Sequence, residues 1–217
     1  MNSIYEASHR RLQDRFDSRR LADRLAEVTL HSEFTDTDKA FIESRDMFFL
    51  ATVDADGRPS CSYKGGDPGF IRVIDATTLA FPNYNGNGMF LSMGNMSARP
   101  EVGLLFIDFE TPNRLRMQGT AEVLDEDPLL ADFAGAELII RVKATAIWPN
   151  CPRYIHRYQK VSRSRYVPAA GCKPPLAEWK RIDLVRDAMP RSEEAEVKSV
   201  PPLTAEEWTE KMHRGEG

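Results

Sequence analysis

Long apolar runs are missing from this sequence: no stretch reaches the roughly 18 residues that a membrane-crossing helix needs. Cysteine is scarce. Cys61, Cys151 and Cys172 are odd in number and far apart, which excludes a disulfide framework. There is no Cys-x-x-Cys pair, and His9, His31, His156 and His213 are scattered, so no zinc centre is gathered anywhere along the chain. Positive charge is not in excess: 29 Lys and Arg stand against 33 Asp and Glu, a net charge of −4, which argues against wholesale nucleic-acid binding. The opening residues are polar and carry both charge signs, without the apolar stretch of a secretory leader, so a cytoplasmic location is expected. The phosphate-loop, His-Glu-x-x-His and Gly-x-Ser-x-Gly motifs are absent. Gly86-x-Gly88 lacks the third glycine of a dinucleotide fingerprint, and Asp54-x-Asp56-Gly57 opens like a calcium loop but meets Gly65 where the closing Glu belongs.

What is present is an ordinary globular composition with strand signals through its middle. Tyr5 to Leu30 reads as one amphipathic helix, with Leu21, Leu25 and Val28 at i, i+4 and i+7 and arginines interleaved with acids elsewhere. Thr35-Asp36-Thr37-Asp38 has the form of a helix start. Met47 to Val53 is a nearly continuous apolar run, expected to be a strand buried on both faces. Asp54 to Gly57 is a turn, and Pro59 to Lys64 returns as a second strand. Further strands are expected at Phe70 to Ile74, Thr78 to Phe81, Glu101 to Phe109, Arg114 to Leu124 and Leu138 to Ile147, with strict alternation in the last two. A loop leading into a short helix is expected between Asn83 and Pro100, and helical pieces at Pro174 to Met189 and Thr204 to His213. Many short strands with turn residues between them predict a sandwich or barrel, a mainly β, α+β fold.

Four places carry site chemistry. Ser62, Tyr63 and Lys64 run into Gly65-Gly66, a set of hydroxyls, a cation and backbone N–H groups that suits a phosphate and equally a plain hairpin loop. The loop with Asn83, Asn85, Gly86, Asn87 and Asn95 can approach and read a flat polar ring, or form a surface turn cluster. Arg116 and Gln118 share the polar face of a strand, aimed at a ligand or at solvent. Trp148, Asn150 and Arg153 flank Cys151 in a proline-braced aromatic segment that can wall a flat ligand or simply pack. No base partner for Cys151 is identifiable, and no metal site is expected.

Taken in order, Phe48 to Pro59, Lys64 to Val73, Phe81 to Asn87, Gly94-Asn95, Trp148 to Pro152 and Arg153 to His156 resemble an uncharacterised branch of the pyridoxamine 5′-phosphate oxidase-related flavin proteins. The resemblance covers about Phe41 to Tyr166. It implies a split β-barrel that works as a homodimer with FMN at the subunit interface. It places Ser62, Tyr63 and Lys64 at the phosphate or ribityl chain and Asn83, Asn85, Gly86, Asn87 and Asn95 along the flavin loop. Arg116 and Gln118 then make polar contacts to the flavin, and Trp148, Asn150 and Arg153 reach it from the partner subunit. Residues 1–35 are then an N-terminal helical segment, 36–166 the FMN-binding split barrel and 167–217 a C-terminal extension. A flavin-dependent oxidoreductase acting on a small molecule is the implied function. The alternatives are a non-catalytic flavin carrier or redox sensor, or a barrel that binds haem or a deazaflavin. The oxidase's own Arg-x-x-Leu-Leu-Lys strand motif is absent, so vitamin B6 oxidation is not expected.

Overall fold

The structure is a computed structural model in which residues 4–216 are described. They form two compact units divided after Val161.

The first unit opens with α1 (Ala7–Arg15) and α2 (Arg19–Thr29), where one continuous helix was expected. The break falls at Asp17, whose φ of 48° lies in the left-handed region and ends the first helix. α3 (Asp36–Glu43) follows the predicted start. The Thr35 hydroxyl accepts the Asp38 N–H at 3.1 Å, and the Asp38 carboxylate accepts the Thr35 N–H at 2.9 Å.

β1 (Met47–Val53) and β2 (Pro59–Gly65) form a hairpin through the predicted turn, with Gly57 at φ 84°. β1 is not buried on both faces within this chain. Phe48, Leu50 and Thr52 point inward, while Ala51 is exposed on the other side. The expected strand at Phe70 to Ile74 shrinks to β3 (Arg72–Val73). Phe70 and Ile71 drop into the core ahead of it. β4 (Thr78–Tyr84) runs past Pro82. The proline is tolerated because β3 pairs only with Leu79 and Ala80, so nothing on that flank needs an N–H from residue 82. Then come α4 (Leu91–Ala98), β5 (Glu101–Asp108), β6 (Asn113–Leu124) and β7 (Ala136–Asn150).

The seven strands form one antiparallel sheet in the order β2-β1-β5-β6-β7-β4-β3. The sheet curls on itself. Phe48 of β1 and Phe81 of β4 are four positions apart in that order, yet their rings meet edge-on at 4.9 Å. Phe70 and Phe106 lie within 6.0 Å and 5.4 Å of the same Phe48 ring. Among the described pairings no ladder joins β2 to β3, so the barrel is split. α3 packs beside β3, where the Glu43 carboxylate accepts the Val73 N–H and Ile42 is fully buried. α4 packs against β1 and β6 and sends Met93 and Met96 into the core. The result is an α+β split β-barrel; the strand pattern predicted a sandwich or barrel, and the resemblance the split form.

β6 and β7 slip register between Gln118 and Gly119. Gly119 is required there: a Cβ would stand 2.5 Å from the Lys143 carbonyl oxygen and 2.8 Å from Val142 Cγ1. Gly119→Ala is expected to lower stability by about 2–3 kcal/mol, because the obstacle is backbone that cannot rotate away. Urea unfolding would then show a lower midpoint with an unchanged slope.

The second unit holds two 3₁₀ turns (Glu178–Arg181 and Arg186–Ala188), α5 (Arg191–Lys198) and α6 (Ala205–His213). The single helix expected over Pro174 to Met189 is thus replaced by two short turns, and α5 was not anticipated. Val197 and Leu203 form its apolar centre, and buried Lys180 is neutralised by Glu193 at 2.6 Å.

Candidate functional site

β2 lies at the rim of the sheet, and its alternation turns Ser60, Ser62 and Lys64 inward, opposite Thr52, Leu50 and Phe48 of β1. α4 approaches this face. Its buried Ser92 hydroxyl lies 3.1 Å from that of Ser62, and Asn95 donates to the buried Thr52 hydroxyl at 3.0 Å. The chain between β4 and α4 supplies the third wall, with Asn83 and Tyr84, then Gly86, Asn87 and Gly88. Asn87 Oδ1 accepts the Met89 N–H at 3.1 Å, Gly88 sits at φ 74°, and Phe90 is forced to φ 47° just before the helix. No side chain caps α4, and its first N–H groups, at Leu91 to Met93, have no partner within the helix. These walls enclose a cleft of about 300 Å³.

The electrostatics are one-sided. Among the described residues no carboxylate lines the cleft. The Lys64 ammonium is half-buried and, among the described residues, has neither a hydrogen bond nor an ion pair. Burial alone holds its pKa below the ordinary 10.5. The Tyr84 hydroxyl is pushed up by burial, with the charge of Asp67 adding to it. An unpaired cation, three serine hydroxyls and an uncapped helix start form an anion-binding arrangement. At its mouth Met89, Phe90 and Leu91 expose 69%, 51% and 54% of their surface, an apolar rim beside a polar floor.

The cleft thus brings together Ser62, Lys64, Asn83, Gly86 and Asn87 of the residues singled out in the sequence. The others lie elsewhere. Tyr63 faces the opposite side of β2 and packs edge-on against Phe49. Asn85 is exposed and bonds Glu137, and Asn95 is buried behind the cleft on Thr52. Arg116 and Gln118 are exposed on the outer face of β6. The registers set Tyr63, Phe49, Leu105, Arg116 and Trp148 in one row across five strands of that face. Asn150 pairs with Arg114 at its end, and the buried Arg114 Nε and Asn150 Oδ1 have no partner among the described residues. Arg153 lies in the exposed segment after β7. Its N–H bonds the Cys151 sulfur at 3.4 Å and, aided by the Arg153 and Arg114 charges, holds that thiol below the usual range. Ser60, Tyr84, Ser92 and the rim of Met89 to Leu91 were not singled out. Only the every-second-residue pattern Ser60, Ser62, Lys64 could have revealed the first.

Residues 34–162, more than half of the chain, match the family model described as pyridoxamine 5′-phosphate oxidase. Solved structures are similar at low identity. A putative pyridoxamine 5′-phosphate oxidase from Lactobacillus delbrueckii is 22% identical, with 54% of this chain and 95% of that one covered and a TM-score of 0.45. An FMN-binding protein from Syntrophomonas wolfei is 11% identical, with 64% and 97% covered and a TM-score of 0.43. The heme storage protein HutZ from Vibrio cholerae is 20% identical, with 51% and 89% covered and a TM-score of 0.39. No curated protein matches. Among the described residues no helix is long and apolar enough to cross a membrane, and no group of His, Cys, Asp or Glu could hold a metal ion.

Proposed function

The chain belongs to the pyridoxamine 5′-phosphate oxidase family, and from that premise we propose that its cleft holds the phosphate end of FMN in a homodimer that acts as a flavin-dependent oxidoreductase on a small molecule. The observation that carries the reading is Lys64, a half-buried cation facing the cleft with no acid among the described residues to balance it. A phosphate of about −1.5 to −2 charges would supply that balance. Ser60, Ser62 and Ser92 line the cleft and would donate to its oxygens, and the start of α4 would add N–H groups. Met89, Phe90 and Leu91 would give the flavin ring an apolar wall, and Asn83 and Asn87 have amides for its polar edge. Bound there, FMN would supply the hydride chemistry, and the protein binding, orientation and charge.

The dimer enters through the outer sheet face. Phe49, Leu105 and Trp148 are only half-buried, and exposed Tyr63 adds to the patch. Pairing two such faces would remove them from water. It would also give Arg116, Gln118, Trp148, Asn150 and Arg153 a route to the partner's flavin, since none lines the cleft of its own chain.

Titration with FMN and with riboflavin, followed by flavin fluorescence, tests the site. FMN is expected to bind at least ~10-fold more tightly, the effect of one charge-assisted phosphate contact. Equal affinity for the two would remove the phosphate assignment, and preference for haemin or a deazaflavin would replace the ligand.

A further inference from the structure

The α1–α2 hairpin is inside out. Polar groups fasten its helices to each other: Arg10 to Asp23 at 2.6 Å, Arg19 to Asp14 at 2.5 Å, and the Tyr5 hydroxyl to the Ala22 carbonyl at 3.1 Å. On α2 the side chains turned inward are small, Ala22 and Ala26. The large ones face water. Leu12, Phe16, Leu21, Leu25 and Val28 are 57%, 69%, 62%, 48% and 63% exposed. A helix that lives in solvent does the reverse, hiding its apolar stripe and presenting its charges. The five residues bare on the order of 500 Å² of mostly apolar surface, at the upper end of what a lone protein leaves uncovered.

The hairpin's root lies next to the outer sheet face. His31 exchanges two backbone hydrogen bonds with Ile147, at 3.0 Å and 2.7 Å. That stretch of β7 lies beyond Lys143, the last residue it pairs with β4, so its flank is open to a visiting residue. The next residue, Trp148, belongs to the outer row.

We propose that the α1–α2 hairpin is an arm that lays its apolar stripe on a second copy of this chain, extending the pairing of sheet faces on which this inference rests. The area favours a second copy. The stripe and the outer row, two apolar surfaces of one chain, together approach the roughly 800 Å² per partner that a stable association buries. The charges bordering the stripe point the same way. Exposed Arg15, Arg20 and Arg24 stand beside Asp17 and Glu27, with Arg15 over the Phe16 ring and Arg24 paired to Glu27 at 3.2 Å, and this mixture of signs suits a self-complementary contact better than a strongly acidic or basic partner.

The test places photoreactive benzoylphenylalanine at Leu25 of the full chain. Ultraviolet light is expected to yield a covalent species of twice the chain mass. Crosslinks confined to one chain, including any to residues 162–217, would overturn the arm. So would an absence of crosslinks in a protein that sediments as a dimer, and that outcome would leave the sheet-face pairing intact. A protein that sediments as a monomer would remove both. As a second measurement, Leu21→Lys with Leu25→Lys is expected to raise the dimer dissociation constant at least ~10-fold, with helicity and near-ultraviolet circular dichroism checking that the variant is folded. An unchanged dissociation constant would also overturn the arm.

Discussion

Replacing Lys64 with Met is expected to weaken FMN binding by roughly 10- to 150-fold and to make the ligand-free protein more stable. Both effects come from one side chain. Losing a hydrogen bond to a charged group removes about 1.5–3 kcal/mol of binding. Before ligand arrives, the same ammonium is held out of water without a partner, and its lowered pKa records that burden. Because the folded pKa lies below the unfolded value, the folded chain gives up this proton first. Stability from this group therefore rises with pH between the folded pKa and 10.5 and is least below that window. An apolar side chain of similar length relieves the burden at neutral pH, for a gain of roughly 2–4 °C in Tm. FMN affinity runs the other way. It should fall as rising pH strips the Lys64 proton, and the Met variant should lose that part of the pH dependence. Calorimetry of the two proteins with and without FMN measures both halves. A variant that loses stability and keeps its affinity would dissociate Lys64 from the phosphate.

Phe48→Ala is expected to cost about 3–5 kcal/mol, enough to lower Tm by roughly 6–20 °C. Its ring is fully buried where β1, β4, β5 and the segment before β3 converge, with three other aromatic rings around it. Neighbouring strands cannot close over the void without changing the curl of the sheet. Phe49 is the control. It differs by one position and points to the other face, where it meets Tyr63 and the outer row. Phe49→Ala should leave the core intact and loosen the proposed dimer instead, so thermal melts and sedimentation should respond to opposite members of the pair.

Elements whose signal is local were legible in the sequence. The bounds of β1, the turn at Asp54 to Gly57, the Thr35 cap and the alternation of Leu115, Met117, Gly119 and Ala121 need only neighbouring residues. Burial was harder, because β1 looks apolar on both sides while only one of its faces is buried within the chain. The break at Asp17 was hidden because its cause is one backbone angle inside an unbroken amphipathic pattern. α5 was missed within a stretch rich in Pro and Glu, where its one fully buried residue, Val197, gives almost no periodicity. The site divides in the same way. Lys64 and the Asn-rich loop were visible as odd residues. That Ser62 meets Ser92 thirty positions on depends on where α4 docks, and no local pattern carries that. Arg116 and Asn87 look alike as polar candidates, yet strand parity and the curl of the sheet send them to different faces.

β2 is the first strand of the sheet and, among the described residues, has a neighbouring strand on one flank only. Its free amides would trade hydrogens with water each time the margin of the sheet breathes. The same strand carries Ser60, Ser62 and Lys64, so a phosphate spanning it and α4 would act as a clasp on this edge of the sheet. Ligand capture and the quieting of that margin would then be one event, and the empty protein would be the restless form.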